Sequence, residues 1–139
     1  MKKYAFFEHT ADVLFEAYGK TLKECVENAA LAMFTVMAKP KLLKKSVCAK
    51  VKNKGRSLDE MVVFLLDKLV TESDSRQAYW KEFKVKKLDE KKKTIEGIAF
   101  GSPYARNAAG THVKAVTMHR ASVARNKKGV WVARIILDI

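Results

Sequence analysis

Hydrophobic and polar positions follow two different periods along the chain, and the change of period separates helices from strands. Apolar residues recur at intervals of three and four in two stretches, which predicts two amphipathic helices. Each helix is predicted to begin at a capping box, one at Thr21 with Glu24 and one at Ser57 with Glu60. In such a box the hydroxyl and the carboxylate each satisfy a free backbone N–H of the first turn. Pro40 is expected to end the first helix, and the second is expected to fray near residues 73–77.

Alternating or β-branched stretches predict the strands. They cover residues 4–8, 13–18, 46–53, 80–88, 94–100, 111–118, 121–125 and 129–139. Charged or polar connectors at 89–93 and 126–129 predict two hairpins, and His119 and Arg120 predict a tight bend between two strands. The resulting order is β-β-α-β-α-β-β-β-β-β. Helices set among runs of strands indicate an α+β fold with a mixed or antiparallel sheet, and 139 residues indicate a single domain, 1–139.

The stretch at residues 101–110 has no period and contains two glycines and a proline. It is the longest loop-like segment of the chain. Loops held by a rigid scaffold often carry function.

The last predicted strand, residues 129–139, is apolar on both faces, as expected of a strand that is covered on both sides. If the chain stops with this strand, the α-carboxylate of Ile139 lies at a fixed point beside the carboxylate of Asp138. Two negative groups at one strand end repel each other unless a cation or a hydrogen-bond donor lies between them. Two interpretations remain open: a protruding strand end with both groups solvated, or a metal site built partly from the C-terminus.

The formal net charge is +13. Such a charge indicates affinity for polyanions such as RNA, or for an acidic protein partner. Most of the lysines are scattered along the sequence, and abundant lysine is also typical of the surface of a thermophile protein.

The sequence also predicts the cellular location of the protein. No apolar run approaches the roughly 20 residues that a membrane-spanning helix needs, and the first residues do not resemble a signal peptide. We therefore expect a cytoplasmic protein without a membrane partner. Cys25 and Cys48 have no metal-ligand spacing and are predicted to be buried structural thiols.

Familiar catalytic motifs are missing from the sequence, including the phosphate-binding glycine loop, Gly-x-Ser-x-Gly and His-Glu-x-x-His. Taken singly, His9, His112 and His119 can each be a capping or turn residue. Asp12 stands where the 9–12 segment leads into the second strand. It could cap that bend by accepting backbone N–H bonds, or it could serve as a hard oxygen ligand.

Long ordered motifs at both ends of the chain resemble the archease family. They are Phe-Glu-His-Thr-Ala-Asp at 7–12, Ala-Tyr-Gly-Lys-Thr-Leu at 17–22, Glu-Asn-Ala-Ala-Leu-Ala-Met-Phe at 27–34, Val-Lys-Ala-Val-Thr-Met-His at 113–119 and the ending Trp-Val-Ala-Arg-Ile-Ile-Leu-Asp-Ile at 131–139. The resemblance covers nearly the whole chain. It implies a single compact α+β domain.

The resemblance also implies a function. Archeases are non-enzymatic protein cofactors of the RtcB-type RNA ligase, which joins tRNA halves during tRNA splicing; they promote guanylylation of the ligase and multiple turnover. The family's divalent-metal site corresponds here to Asp12, Asp138 and the C-terminal carboxylate of Ile139. Three carboxylates without a soft ligand suit Ca²⁺, Mg²⁺ or Mn²⁺ better than zinc.

Some features depart from the family pattern. Many archeases are acidic, whereas this chain is basic; Met118 replaces a common tyrosine, His112 stands where an acidic residue is frequent, and the 102–110 loop lacks acidic residues. Lys114 and His119 keep their family positions and are candidate partner contacts. The alternative functions are a basic RNA-binding or chaperone-like module, in which the carboxylates are purely structural and tRNA is a possible partner, and a small metal-dependent hydrolase. A hydrolase is disfavoured because no general base is paired with a second group.

Overall fold

Two antiparallel sheets and two long helices account for most of the chain, and the structure, a computed structural model, describes residues 1–8 and 11–139. Nine elements follow the predicted order closely. They are β1 (Tyr4–Phe7), β2 (Val13–Gly19), α1 (Leu22–Met37), β3 (Val47–Lys54), α2 (Leu58–Arg76), β4 (Ala78–Asp89), β5 (Thr94–Pro103), β6 (Ala115–Arg125) and β7 (Trp131–Asp138), with short 3₁₀ turns at Pro40–Leu42 and Arg106–Ala108.

Both helices begin at the predicted capping residues. The Thr21 hydroxyl accepts the Glu24 N–H and the Ser57 hydroxyl accepts the Glu60 N–H, each at 3.1 Å. The reciprocal bond differs from the prediction, because each glutamate accepts the N–H of the residue before the cap, Lys20 or Arg56, and not that of the cap itself. The two hydroxyl bonds satisfy N–H groups that the first helical turn leaves without an intrahelical partner.

The second helix ends within the predicted range, residues 73–77, but it ends in a formed cap and does not fray. The helix continues to Arg76, and Gln77 closes it in the left-handed conformation with φ of 50°. Ser73 is buried, and its hydroxyl donates to the Ala78 carbonyl at 2.5 Å, which ties the last turn to the start of β4.

The first sheet has the strand order β1-β2-β7-β6, and the second has the order β3-β5-β4. All pairings are antiparallel. Because β7 lies between β2 and β6, its backbone is hydrogen-bonded on both sides, and Ile135, Ile136 and Leu137 are at most 1% exposed. Ile135 and Leu137 lie on one face of β7 and Ile136 on the other, so the apolar end of the last strand is buried on both faces, whereas Val132 and Arg134 nearer its start are only partly buried.

Each helix packs against both sheets: α1 against β2 and β4, and α2 against β6 and β3. One hydrophobic core therefore contains side chains from both helices and both sheets. Trp80 lies within it at 1% exposure, and its indole N–H donates to the Leu69 carbonyl at 3.0 Å. The predicted α+β class with an antiparallel sheet and a single compact domain is confirmed.

Three details of the sequence-based prediction are wrong. Residues 115–125 form one strand, β6, and the predicted bend at His119 and Arg120 is a bulge within it. Cys48 is exposed, because it shares the solvent face of β3 with Lys50 and Lys52; only Cys25 is buried. The 101–110 stretch is only partly a loop, since β5 continues to Pro103 and a 3₁₀ turn follows.

Within the described residues, neither helix combines the length and the apolar character that crossing a bilayer requires.

Candidate metal centre

The pairing of β2 with β7 brings the two predicted aspartates to neighbouring strand ends. Val13 is the partner of Leu137 in this register, so Asp12 and Asp138 are the next residues on the two adjacent strands. Asp138 is held from the other side as well, since it pairs with Ala115 of β6 and its carbonyl accepts the Lys114 N–H at 2.8 Å. The fold thus joins two residues that are far apart in sequence.

Opposite charges face each other within the β2–β7 pair, but like charges face each other at the end that carries Asp12 and Asp138. Farther inside the sheet, Glu16 is paired with Arg134, and their side chains form an ion pair with 3.5 Å between oxygen and nitrogen. At the strand ends, carboxylates stand on both strands. Like charges on neighbouring strands are destabilising on their own, whereas carboxylate oxygens that converge are the ligands preferred by hard divalent cations.

Ile139 follows Asp138 directly and is 37% exposed. A free α-carboxylate at this position would be a third oxygen donor directly after Asp138. Among the described residues, no group of three or more His, Cys, Asp or Glu side chains is arranged to hold a metal. Asp12 and Asp138 alone supply too few oxygen ligands for Ca²⁺, which takes roughly six to eight. The donor chemistry therefore fits a hard cation when the terminal carboxylate and solvent complete the set.

The remaining predicted residues, Lys114 and His119, lie at different points along one edge of this sheet. Lys114 is exposed and is bound to Asp138 through its backbone. His119 is exposed on the β6 bulge, where residues 118–121 stand opposite the single residue Ile135. The fold thus brings Lys114 beside the candidate centre and places His119 farther along the same edge strand. His9, from the motif at 7–12, lies outside the described residues.

A cleft that the sequence did not indicate opens beside Asp12. It has a volume of about 650 Å³, and its walls include Phe6 and Phe7 from β1 and Val36 from α1. Phe6 and Phe7 are each 46% exposed. The sequence pattern predicted only a short strand at residues 4–8. The signal that could have identified the cleft is the pair of adjacent phenylalanines, because successive strand residues point to opposite faces.

The end of the 102–110 loop forms another wall of this cleft. Gly110 and Thr111 donate their N–H groups to the carbonyls of Met37 and Val36, at 3.0 and 2.8 Å. Farther up the loop, the Tyr104 ring lies 4.5 Å from that of Tyr79, and burial raises the pKa of the Tyr104 hydroxyl. The loop is therefore attached to both α1 and β4.

Comparisons with known proteins agree with this architecture. The family model described as the Archease protein family (MTH1598/TM1083) matches residues 4–139. The protein archease of Sulfurisphaera tokodaii is 36% identical over 141 residues, and the alignment covers 100% of both chains.

Solved structures show the same fold. The solution structure of Methanobacterium thermoautotrophicum protein 1598 superposes with a TM-score of 0.83 at 35% identity and covers 100% of both chains. A crystal structure of a Thermotoga maritima protein, described as an archease and possible chaperone, superposes with a TM-score of 0.67 and covers 96% of this chain and 94% of its own. At 18% identity, this second likeness concerns the fold alone. Since the family match spans nearly the entire sequence, the chain belongs to the archease family.

Proposed function

We propose that this chain is a protein cofactor of an RtcB-type RNA ligase in tRNA splicing. It promotes guanylylation of the ligase and multiple turnover, and it makes and breaks no bonds itself. The observation that carries the proposal is the β2–β7 register, which ends with Val13 opposite Leu137 and so supports a site formed by the residues that follow, Asp12, Asp138 and Ile139. Family membership supports the choice of partner.

In this proposal, Asp12, Asp138 and the Ile139 carboxylate hold one divalent cation, Ca²⁺, Mg²⁺ or Mn²⁺. When bound, the cation supplies positive charge that offsets the repulsion between the carboxylates. The strand pairing keeps the aspartates at adjacent strand ends, and the bond from the Lys114 N–H fixes the backbone of Asp138. Lys114, next to Asp138, and His119, farther along β6, are exposed and serve as contacts to the ligase.

Activation then follows from preferential binding. A cofactor shifts the ligase toward the guanylylation-competent state only by binding that state more tightly than the resting state. The half-exposed Phe6 and Phe7 next to Asp12 provide apolar area for such binding. The carboxylates, the cleft and Lys114 therefore act together as one contact region.

Isosteric substitutions test the proposal. Asp12→Asn and Asp138→Asn each remove one negative charge and retain the side-chain shape, so both variants are expected to fold. In a ligation assay with the ligase, GTP, Mn²⁺ and broken tRNA, the wild-type protein should increase both multiple-turnover joining and the guanylylated fraction of the ligase. Each variant should lower joining to near the rate of the ligase alone.

Lys127→Ala is the matched control, because Lys127 is exposed in the β6–β7 turn, at the opposite end of β7 from Asp138. It should activate the ligase like the wild type. If both asparagine variants activate fully, the carboxylates are not needed for activation and the proposal fails.

A further inference from the structure

The second sheet, β3-β5-β4, turns one face toward the helices and the other toward solvent. On its central strand, Ile95, Gly97, Ala99 and Gly101 are buried, whereas the alternate residues are only partly buried. Two of these outward residues, Ile98 and Phe100, are large and apolar, and neither belongs to the side chains packed on the hydrophobic core. The outer face therefore has an apolar centre that is accessible to solvent.

Lysines flank this centre on both sides. On β3, the exposed lysines are Lys50, Lys52 and Lys54. On β4, the exposed lysines are Lys84, Lys86 and Lys87, and the strand ends in the exposed Asp89. We call this surface, with Ile98 and Phe100 at its centre, the lysine face. In the sheet register Ile98 is the partner of both Lys50 and Lys84, so it lies between two ammonium-bearing strands.

Both glutamates of the face are paired with lysines, and Asp89 at the end of β4 accepts the backbone N–H of Lys92. Glu96 forms an ion pair with Lys52 at 3.4 Å, and Glu82 is paired with both Lys45 and Lys84. The lysine neighbours hold the pKa of the Glu82 carboxyl below its ordinary value. Within the described residues, Lys50 and Lys86 form no ion pair. They line one cleft of about 560 Å³ together with Ile98, so the face keeps an uncompensated positive charge next to its apolar centre.

From this arrangement we infer that the lysine face binds single-stranded RNA. Alternate residues of a strand are about 6.7 Å apart, and the two lysine rows are separated by two strand spacings, about 9.5 Å. The rows thus offer ammonium groups at regular intervals on both sides of a narrow strip. Phosphates of a single strand contact the lysines, and bases pack on Phe100 and Ile98, the mode in which sheet surfaces recognise single-stranded nucleic acid.

RNA fits this surface better than an acidic protein segment does. An acidic peptide would use only the positive charges of the lysines. The partly exposed Phe100 adds an aromatic surface, and every nucleobase can stack on such a surface. The lysine face belongs to the other sheet from Asp12 and Asp138. The inferred RNA site is therefore separate from the candidate metal centre, and its binding can be measured without ligase and without metal.

Anisotropy titration of a fluorescein-labelled oligouridylate tests the inference, without ligase and without added metal. At about 50 mM salt the double variant Lys50→Glu/Lys86→Glu should bind at least about tenfold more weakly than the wild type, and the salt slope should fall by about 0.7 for each phosphate that is no longer neutralised. Phe100→Leu keeps the apolar volume and removes the stacking ring, so binding should weaken by about fivefold or more. Circular dichroism melts establish that each variant is folded.

The control Lys127→Glu/Lys128→Glu makes the same charge change in the exposed β6–β7 turn and should stay within about twofold of the wild type, because exposed charges far from a site are largely screened. Asp12→Asn should bind the oligonucleotide normally even if it fails to activate the ligase. The inference is overturned if the wild type does not bind, if the control weakens binding as much as the face variant, or if Phe100→Leu has no effect. Equal competition by poly-glutamate of matched charge would assign the face to an acidic protein instead.

Discussion

At the scale of single residues, the two cysteines show how position decides chemistry. Cys25 lies on α1 at 0% exposure, and its thiol donates to the Ala17 carbonyl, with sulfur and oxygen 3.5 Å apart. Burial raises the pKa of the Cys25 thiol to about 12. Cys48 is exposed on the lysine-bearing side of β3. The thiolate is the reactive form of cysteine, so Cys25 is protected both by burial and by protonation.

We therefore predict that iodoacetamide at about pH 8 adds one carbamidomethyl group to the folded protein, and that peptide mapping finds it on Cys48. Cys25 should react only after denaturant unfolds the chain, because unfolding removes the burial that raises its pKa. Cys48→Ser is the matched control and should remain unmodified while folded. Two adducts on the folded wild-type protein would contradict this account.

The alternation of β3 was sufficient to place Cys48 correctly. Val47, Ala49 and Val51 alternate with Cys48, Lys50 and Lys52 in the sequence, and the structure buries Ala49 and Val51. The prediction of a buried Cys48 relied instead on the general tendency of cysteine to be buried. Where a local pattern and a residue-type average disagree, the local pattern was the better guide to this strand.

At the scale of elements, α2 fixes the edge strand β6 at two points. The Asp67 carboxylate accepts the Val116 N–H at 3.0 Å, and the Asp59 carboxylate accepts the Val123 N–H at 2.7 Å. The two aspartates are about 12 Å apart along the helix, whereas a regular strand from 116 to 123 would span about 23 Å. The surplus chain forms the bulge at 118–121, and Arg120 takes a φ of 55° within it.

Removing one of these attachments should loosen the edge strand. Asp67→Ala leaves the Val116 N–H without its charged acceptor, so we expect the free energy of unfolding to fall by about 1–3 kcal/mol. In hydrogen exchange measured by NMR, the Val116 amide should exchange faster, and the amides of the central strand β7 should change less.

Ser75→Ala is the control for this prediction, because Ser75 is exposed on the same helix. It should change the free energy of unfolding by less than about 0.5 kcal/mol. A Val116 amide with unchanged protection in Asp67→Ala would show that the carboxylate does not hold the strand.

The helix positions, the hairpins and the antiparallel sheets could be predicted from periodicity and turn residues, since these signals are local. The bulge could not. His119 and Arg120 break the alternation and suggest a bend between two strands, and only the bonds from Asp59 and Asp67 show that the same strand resumes. The sequence carries no local sign that these two aspartates bind a strand far along the chain.

At the scale of the whole molecule, the proposed cation would connect β2 to β7. A ligand that binds only the folded state stabilises it by about 2.7 kcal/mol at a concentration of 100 times its dissociation constant. We therefore predict that Ca²⁺ or Mn²⁺ raises the Tm of the wild-type protein in a concentration-dependent way. Asp138→Asn should show a much smaller increase, and so should a variant extended beyond Ile139, because the extension converts the α-carboxylate into an amide.

Lys127→Ala should respond to the metal like the wild type, which separates loss of the site from a general change in charge. An equal metal-dependent rise of Tm in Asp138→Asn would place the cation elsewhere on the molecule.

The candidate site was predictable only in part. The end of the last strand draws attention to Asp138 and Ile139, because an apolar strand that finishes in a carboxylate is unusual on local grounds. Asp12 could not be linked to them by spacing, since the β2–β7 register joins residues more than a hundred positions apart; the family resemblance supplied that link. The cleft at Phe6 and Phe7 was missed because exposure at a sheet edge depends on tertiary packing.

The central position of β7 has a further consequence, for the kinetics of folding. The β4–β5 and β6–β7 pairs are hairpins, whereas β2 and β7 meet only after closure of a loop of more than a hundred residues. Closing so long a loop costs entropy before the two strands form any hydrogen bond, and such non-local pairing slows folding. We expect the β1–β2 hairpin to wait for its partner strand, with Leu14 and Phe15 uncovered meanwhile. During that interval the free edge of β2 is the segment most open to pairing with another chain.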